Sequence, residues 1–150
     1  MRVLMQRVSE ASVHINGENF SNIKNGVLVL LGIEDSDSQE DINWLVRKIT
    51  NLRIFGDEEG KMNFSLSDIN GEALVVSQFT LFASTKKGNR PSFTKSAKPE
   101  IAIPLYEQFI KSLQSEITTE VKTGVFGADM KVQLINDGPV TILLDTKNKE

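Results

Sequence analysis

"GVLVLLGI", residues 26–33, decides the fold class. A strand with one wet face alternates apolar and polar side chains. This one carries no polar side chain at all, as a strand buried on both faces would. One cover follows directly. "EDSDSQED" (34–41) has the acids and short polar side chains of a helix N-terminus, where carboxylates complement the macrodipole. Ile42, Leu45, Val46, Ile49 and Leu52 then recur at helical spacing.

Moving outward from that run, residues 2–15 alternate, and "NGE" (16–18) marks a hairpin turn into the next strand. If the first strand is regular, Arg7 lies on its mainly apolar face and His14 on its polar face. His14 is then an exposed strand residue, and Arg7 either snorkels or holds a polar loop in place. "GDEEGKMN" (56–63) reads as a loop and "EALVVSQFTLFAS" (72–84) as a strand. A second helix is predicted from Ala102, Leu105, Tyr106, Phe109, Ile110 and Leu113. Pro99 suits its first turn, whereas Pro104 would remove an interior hydrogen bond, so the helix starts late or bends there. "TEVKTGVFGADMKVQLI" (119–135) and "PVTILLD" (139–145) supply the last strands, and "NDGPVT" (136–141) between them reads as a hairpin turn. These elements predict one α+β domain over residues 1–150, with two helices on a mostly antiparallel sheet.

Composition narrows the chemistry. The chain has no cysteine and one histidine, which excludes disulfides, thiolate catalysis and a His-rich zinc site. A Ser-His-Asp triad would have to use His14. Absence of cysteine fits a cytoplasmic protein, and no run of apolar residues is long enough for a transmembrane helix. Of the net charge of −3, residues 86–98 ("KKGNRPSFTKSAK") contribute +5 and the rest −8. A basic loop on an acidic body can guide a polyanion to one place, or it can simply be solvated.

Two segments raise functional questions. In "SQFTL" (77–81), Ser77, Phe79 and Leu81 share one strand face and Gln78 and Thr80 the other. Polar groups on both faces suit either a strand end emerging into solvent or a pocket wall whose free backbone N–H groups stabilise an oxyanion. "TGVFGADM" (123–130) reads as an ordinary turn, with a bulge presenting Phe126 as the alternative. Nothing matches a Walker loop or a dinucleotide fingerprint.

"SQFTL", "GNRPSF" (88–93), "FGADM" (126–130) and "NDGPVT" occur in this order behind the opening "MRVLMQRVSEASV". In that set the chain resembles the D-aminoacyl-tRNA deacylases, from residue 1 to about residue 146. The resemblance implies a barrel-like core and hydrolysis of the ester between a D-amino acid, or glycine mischarged on tRNA-Ala, and the terminal ribose of tRNA. It implies a homodimer with tRNA as partner, no cofactor, no metal and no membrane. Ser77, Gln78, Phe79 and Thr80 would line the reaction centre. A cis Gly138–Pro139 would enter it from the other subunit, supported by Arg7, and exclude L side chains. Ala102, Phe126 and Met130 would complete the substrate pocket, and Lys86, Lys87 and Arg90 would meet tRNA phosphates. Two other functions fit the residues less closely. One is a non-catalytic RNA-binding module built on the basic loop and Phe93. The other is a metal-free hydrolase that uses Thr80 on an unrelated ester.

Overall fold

The run at 26–33 is β3 (Gly26–Gly32), in the middle of a mixed sheet that the computed structural model describes within residues 1–150. Before it come β1 (Arg2–Ile15) and β2 (Glu18–Ile23); after it come α1 (Gln39–Asn51), β4 (Phe55–Gly56), β5 (Met62–Phe64), β6 (Glu72–Ser77), α2 (Pro99–Glu116), β7 (Lys122–Thr123) and β8 (Lys131–Asp145). The strand order is β2-β1-β3-β6-β7, with β8 on the other side of β1. The β1 pairings are antiparallel, and β3–β6 and β6–β7 are parallel. The short β4 and β5 pair with each other only.

Both faces of β3 are covered, each by a different core. Val27, Val29 and Leu31 join Ala73 and Val75 of β6 against Ile42, Leu45 and Ile49 of α1 and Phe109 and Leu113 of α2. Leu28, Leu74 and Val76 point the other way, to Val8, Ala11, Val13 and Ile23. Each of these side chains larger than alanine contributes about 1.5–3 kcal/mol by leaving water. The second core is enclosed because the sheet curls: Ser21 Oγ on β2 donates to the Thr123 carbonyl on β7 at 2.6 Å, linking the two ends. The result is two helices on a sheet nearly closed into a barrel. Neither helix is long and apolar enough to cross a membrane.

The first helix begins where the sequence says, and the second does not start late. Ser38 caps α1 and forms a capping box with Asp41. Pro99 opens α2, but Pro104 neither delays nor ends it; the helix runs through to Glu116 with Pro104 exposed. At the sixth position that proline removes only one bond, near the start of the helix.

Three expectations fail. "NDGPVT" is not a hairpin turn. It lies inside the single strand β8, which pairs with β1 from His14↔Lys131 to Arg2↔Asp145. Between Val8↔Asn136 and Gln6↔Thr141 the register slips, so Asp137, Gly138, Pro139 and Val140 loop out opposite Arg7 alone. The strand at 72–84 ends at Ser77, and Phe79–Phe82 form a 3-10 turn. Finally, β1 is not regular. Val3 and Met5 pack toward the helices while Val8, Ala11 and Val13 pack into the barrel, because the register slips around Val8 shift the buried parity. His14 is half-buried and lines a polar groove with Asn19, Asn22 and Gln133.

Candidate functional site

The strand β6 stops pairing where its last backbone bond is made, Gln78 N–H to the Leu31 carbonyl at 2.7 Å. Beyond it the chain tightens into the 3-10 turn, and Ala83 N–H closes on the Thr80 carbonyl at 3.0 Å. The first N–H groups of a helical turn have no acceptor within it. Here those groups belong to Phe79 and Thr80, and no side chain caps the turn.

This end of β6 forms one wall of a cavity of about 320 Å³. Ser77, Gln78, Phe79, Ala102, Phe126 and Met130 all line it. Thr80 is not among the lining residues; it is exposed next to Phe79, with its hydroxyl accepting from Gln78 Nε2. The cavity therefore unites residues from β6, α2 and the β7–β8 connection. That connection is a turn, as its glycines suggest: Gly127 has φ +76° and Ala128 N–H donates to the Val125 carbonyl. A Cβ on Gly124 would stand 2.4 Å from Met130 Sδ, so that glycine makes room for the methionine. Phe126 rests edge-on against Tyr106, ring centroids 5.8 Å apart. Burial pushes the Tyr106 hydroxyl pKa up to about 12, and it donates to the Val75 carbonyl at 3.0 Å. The aromatic floor is thus tied to β6 itself.

Ile33 and Ala97 also line the cavity, as does Asp129 on its rim, and sequence reading did not single them out. Ala97 lies in the basic segment, where the sequence reading rests on the cations, the "GNRPSF" motif and Phe93 and passes over the alanine. That segment is more than a solvated loop. Its Lys86, Lys87 and Arg90 are exposed, yet Phe93 packs edge-on against Phe79 at 5.0 Å and Ala97 N–H donates to the Ile33 carbonyl at 2.9 Å. The segment that carries the cations is therefore anchored at the cavity wall through Phe93 and Ala97.

Gly138 and Pro139 lie apart from these residues, exposed and outside the lining of the cavity. The peptide between them is cis. Arg7 holds the loop they form: Nε donates to the Asp137 carbonyl at 2.6 Å and Nη1 to the Ile54 carbonyl. Asn136 closes the base of the loop, accepting from Val140 N–H at 2.8 Å and donating to Thr141 Oγ1 at 3.0 Å. Val140 is buried in the helix-side core, so one end of the loop is anchored there. Within one chain the two halves of the predicted site do not meet.

Comparison with known proteins gives one family by sequence and the same fold among solved structures. A family model described as D-Tyr-tRNA(Tyr) deacylase matches residues 4–145. Proteins named D-aminoacyl-tRNA deacylase from Flavobacterium johnsoniae and Bacteroides fragilis are 61% and 65% identical, each over the full length of both chains. Among solved structures, one named c-Myc DNA Unwinding Element Binding Protein superposes with a TM-score of 0.92 at 44% identity, covering 97% of this chain and 99% of its own. A probable eukaryotic D-amino acid tRNA deacylase, 20% identical, shares the fold with a TM-score of 0.79 over 95% of this chain and 97% of its own.

Proposed function

The chain belongs to the D-Tyr-tRNA(Tyr) deacylase family, and from that membership we propose that it hydrolyses the ester joining a D-amino acid, or glycine mischarged on tRNA-Ala, to the terminal ribose of tRNA. The observation that carries this reading is the cavity bounded by Ser77, Gln78, Phe79, Phe126 and Met130 with the basic loop packed on Phe79. A 3′-terminal adenosine fits between the aromatic and methionine side chains by stacking and apolar contact. Lys86, Lys87 and Arg90 then meet phosphates without reading sequence. An aminoacyl-tRNA substrate fits the expected cytoplasmic site of action.

The reaction needs a water oxygen to attack the ester carbonyl, a proton to reach the departing ribose oxygen, and charge to be held on the carbonyl oxygen between. The N–H groups of Phe79 and Thr80 at the head of the 3-10 turn are suited to that charge. No imidazole or lysine lines the cavity to activate the Thr80 hydroxyl, so the ribose 2′-hydroxyl of the substrate assists the water. Ser77, Gln78 and the Thr80 side chain position the substrate.

Chirality is decided by the Gly138–Pro139 loop of a second subunit. Its carbonyls recognise the substrate α-amino group and its bulk occupies the space an L side chain needs. A D side chain points elsewhere and glycine has none. Exclusion by clash can exceed the about 1–3 kcal/mol that a missing methylene provides. The exposure of the loop, its rigid tether to Arg7 and its separation from the cavity of its own chain all favour action in trans within a homodimer.

The test is ester loss from D-Tyr-tRNA and L-Tyr-tRNA in parallel, with a 2′-deoxy-terminated D-Tyr-tRNA as third substrate. Rapid hydrolysis of the first alone is expected. Equal rates on D and L would overturn the chiral reading, and loss of neither would leave an RNA-binding module. In the same assay Thr80→Ala stays within about tenfold of wild type, as fits a side chain outside the covalent steps.

A further inference from the structure

We propose that Ser96 is a positioning residue for the deacylation, acting through the carbonyl of Phe79. The proposal rests on the reading of the Phe79 and Thr80 N–H groups as oxyanion donors. Ser96 Oγ donates to the Phe79 carbonyl at 2.7 Å. That carbonyl and the N–H of Thr80 belong to the same peptide unit, which is planar and trans. Fixing the direction of one fixes the direction of the other. A hydroxyl on the basic loop therefore sets where the Thr80 donor points, although it touches neither substrate nor Thr80.

The surroundings favour this role. The 3-10 turn has no side-chain cap, so its leading peptides lack the support that a capped helix has. Phe79 is 56% exposed and is steadied on the loop side by the edge-on Phe93 ring. Ser96 itself is held from both directions: its N–H donates to the Phe93 carbonyl at 3.0 Å, and the next residue, Ala97, is bonded to the Ile33 carbonyl at the cavity wall. The far side of the turn has a matching brace, Arg2 Nη1 donating to the Leu81 carbonyl at 3.0 Å. Ser96 is half-buried between two exposed lysines, Lys95 and Lys98, so the segment that is to receive phosphates also carries the hydroxyl that aims the donor.

The experiment compares wild type, Ser96→Ala and Ser96→Thr by kinetics on D-Tyr-tRNA and by the amide 1H–15N resonance of Thr80. Removing the hydroxyl should lower kcat about ten- to a hundred-fold with KM little changed, because the donor matters most where charge develops. The Thr80 amide signal should move in the alanine variant, and threonine, which keeps the hydroxyl, should restore both readouts. An active wild type whose kcat and Thr80 amide ignore Ser96→Ala overturns the assignment of Ser96 alone. A wild type inert on D-Tyr-tRNA overturns the parent reading, and the role of Ser96 with it. The amide shift does not depend on activity, so it distinguishes a misplaced donor from a misidentified reaction.

Discussion

Gly138 is the residue at which backbone geometry leaves least choice. Its φ is +149°, a region L side chains rarely adopt. A Cβ there would stand 2.9 Å from Arg7 Nη2, 2.9 Å from Val140 Cγ2 and 3.0 Å from Val140 N. The arginine tip can swing, but the Val140 backbone cannot, because Asn136 holds its N–H and Val140 is buried. Gly138→Ala must therefore strain the loop or push it off Arg7, at about 1–3 kcal/mol. We expect a melting temperature lower by several degrees and, more tellingly, at least a tenfold loss of D-over-L discrimination while D-Tyr-tRNA is still hydrolysed. Thermal melts and parallel rates on the two esters measure both. Unchanged discrimination in a variant that melts early would show that the loop matters only for stability. Arg7 illustrates what sequence could and could not supply here. A cation on a mainly apolar strand face called for a partner, and the partners are two backbone carbonyls, of Asp137 and Ile54. Carbonyl acceptors leave no mark on the sequence, so the role was legible and the contacts were not.

At the scale of elements, the N-terminus of α1 is bound to the C-terminal segment through Asp41. Its carboxylate accepts from Ser38 N at 2.8 Å and from Lys147 Nζ at 3.0 Å. Burial by itself raises the Asp41 pKa. Hydrogen bonds from Thr146, Lys147 and the Ser38 backbone outweigh it and hold the group well below the usual carboxylate range. Asp145 at the end of β8 is also lowered: burial is again opposed, here by the Lys147 backbone and by Arg2. A depressed carboxylate stabilises the fold above its unfolded pKa of about 3.9, and that stability is lost as pH falls toward the folded value. The melting temperature should thus be flat near neutrality and fall steeply below about pH 4, and Asp41→Asn should lower it at pH 7 while flattening the acid limb. An acid limb identical in wild type and Asp41→Asn would remove Asp41 from the account. The elements themselves were legible where one physical signal dominated: the start of α1, and a strand buried on both faces. They were misread where one signal has two structural outcomes. Asn-Asp-Gly-Pro suits a loop bulging from a strand as well as it suits a hairpin, and only the pairing of β1 along the whole of β8 decides between them. Alternation at "SQFTL" could be counted past Ser77, but the last acceptor for that strand, the Leu31 carbonyl, is taken by Gln78 N–H.

For the whole molecule, the cavity and the Gly138–Pro139 loop are separate features of one chain, and only the resemblance assigns them to one site. The outer face of β8 suits the second subunit that the proposed homodimer requires. The strand pairs on one side only, and Ile135 and Leu143 on it are 54% and 60% exposed. Apolar side chains along an unpaired edge strand are a liability that a partner surface relieves. If each active site takes its cavity from one subunit and its loop from the other, defects on different subunits must complement. In Phe79→Asp the cavity wall carries an added charge and the Gly138–Pro139 loop is intact. In Gly138→Ala the reverse holds. A homodimer of the first should hydrolyse neither ester well, and a homodimer of the second should hydrolyse D-Tyr-tRNA with poor discrimination. In the mixed dimer the sound cavity of one subunit receives the sound loop of the other, so one of the two sites is whole. Denaturing and refolding the two variants together at equal ratio should leave half the molecules mixed. Selective D-Tyr-tRNA hydrolysis should then return to about a quarter of the wild-type rate per subunit, since random pairing makes half the dimers mixed and each carries one whole site of two. If each chain instead folded its own loop into its own cavity, mixing would give only the average of the two variants, and discrimination would not recover.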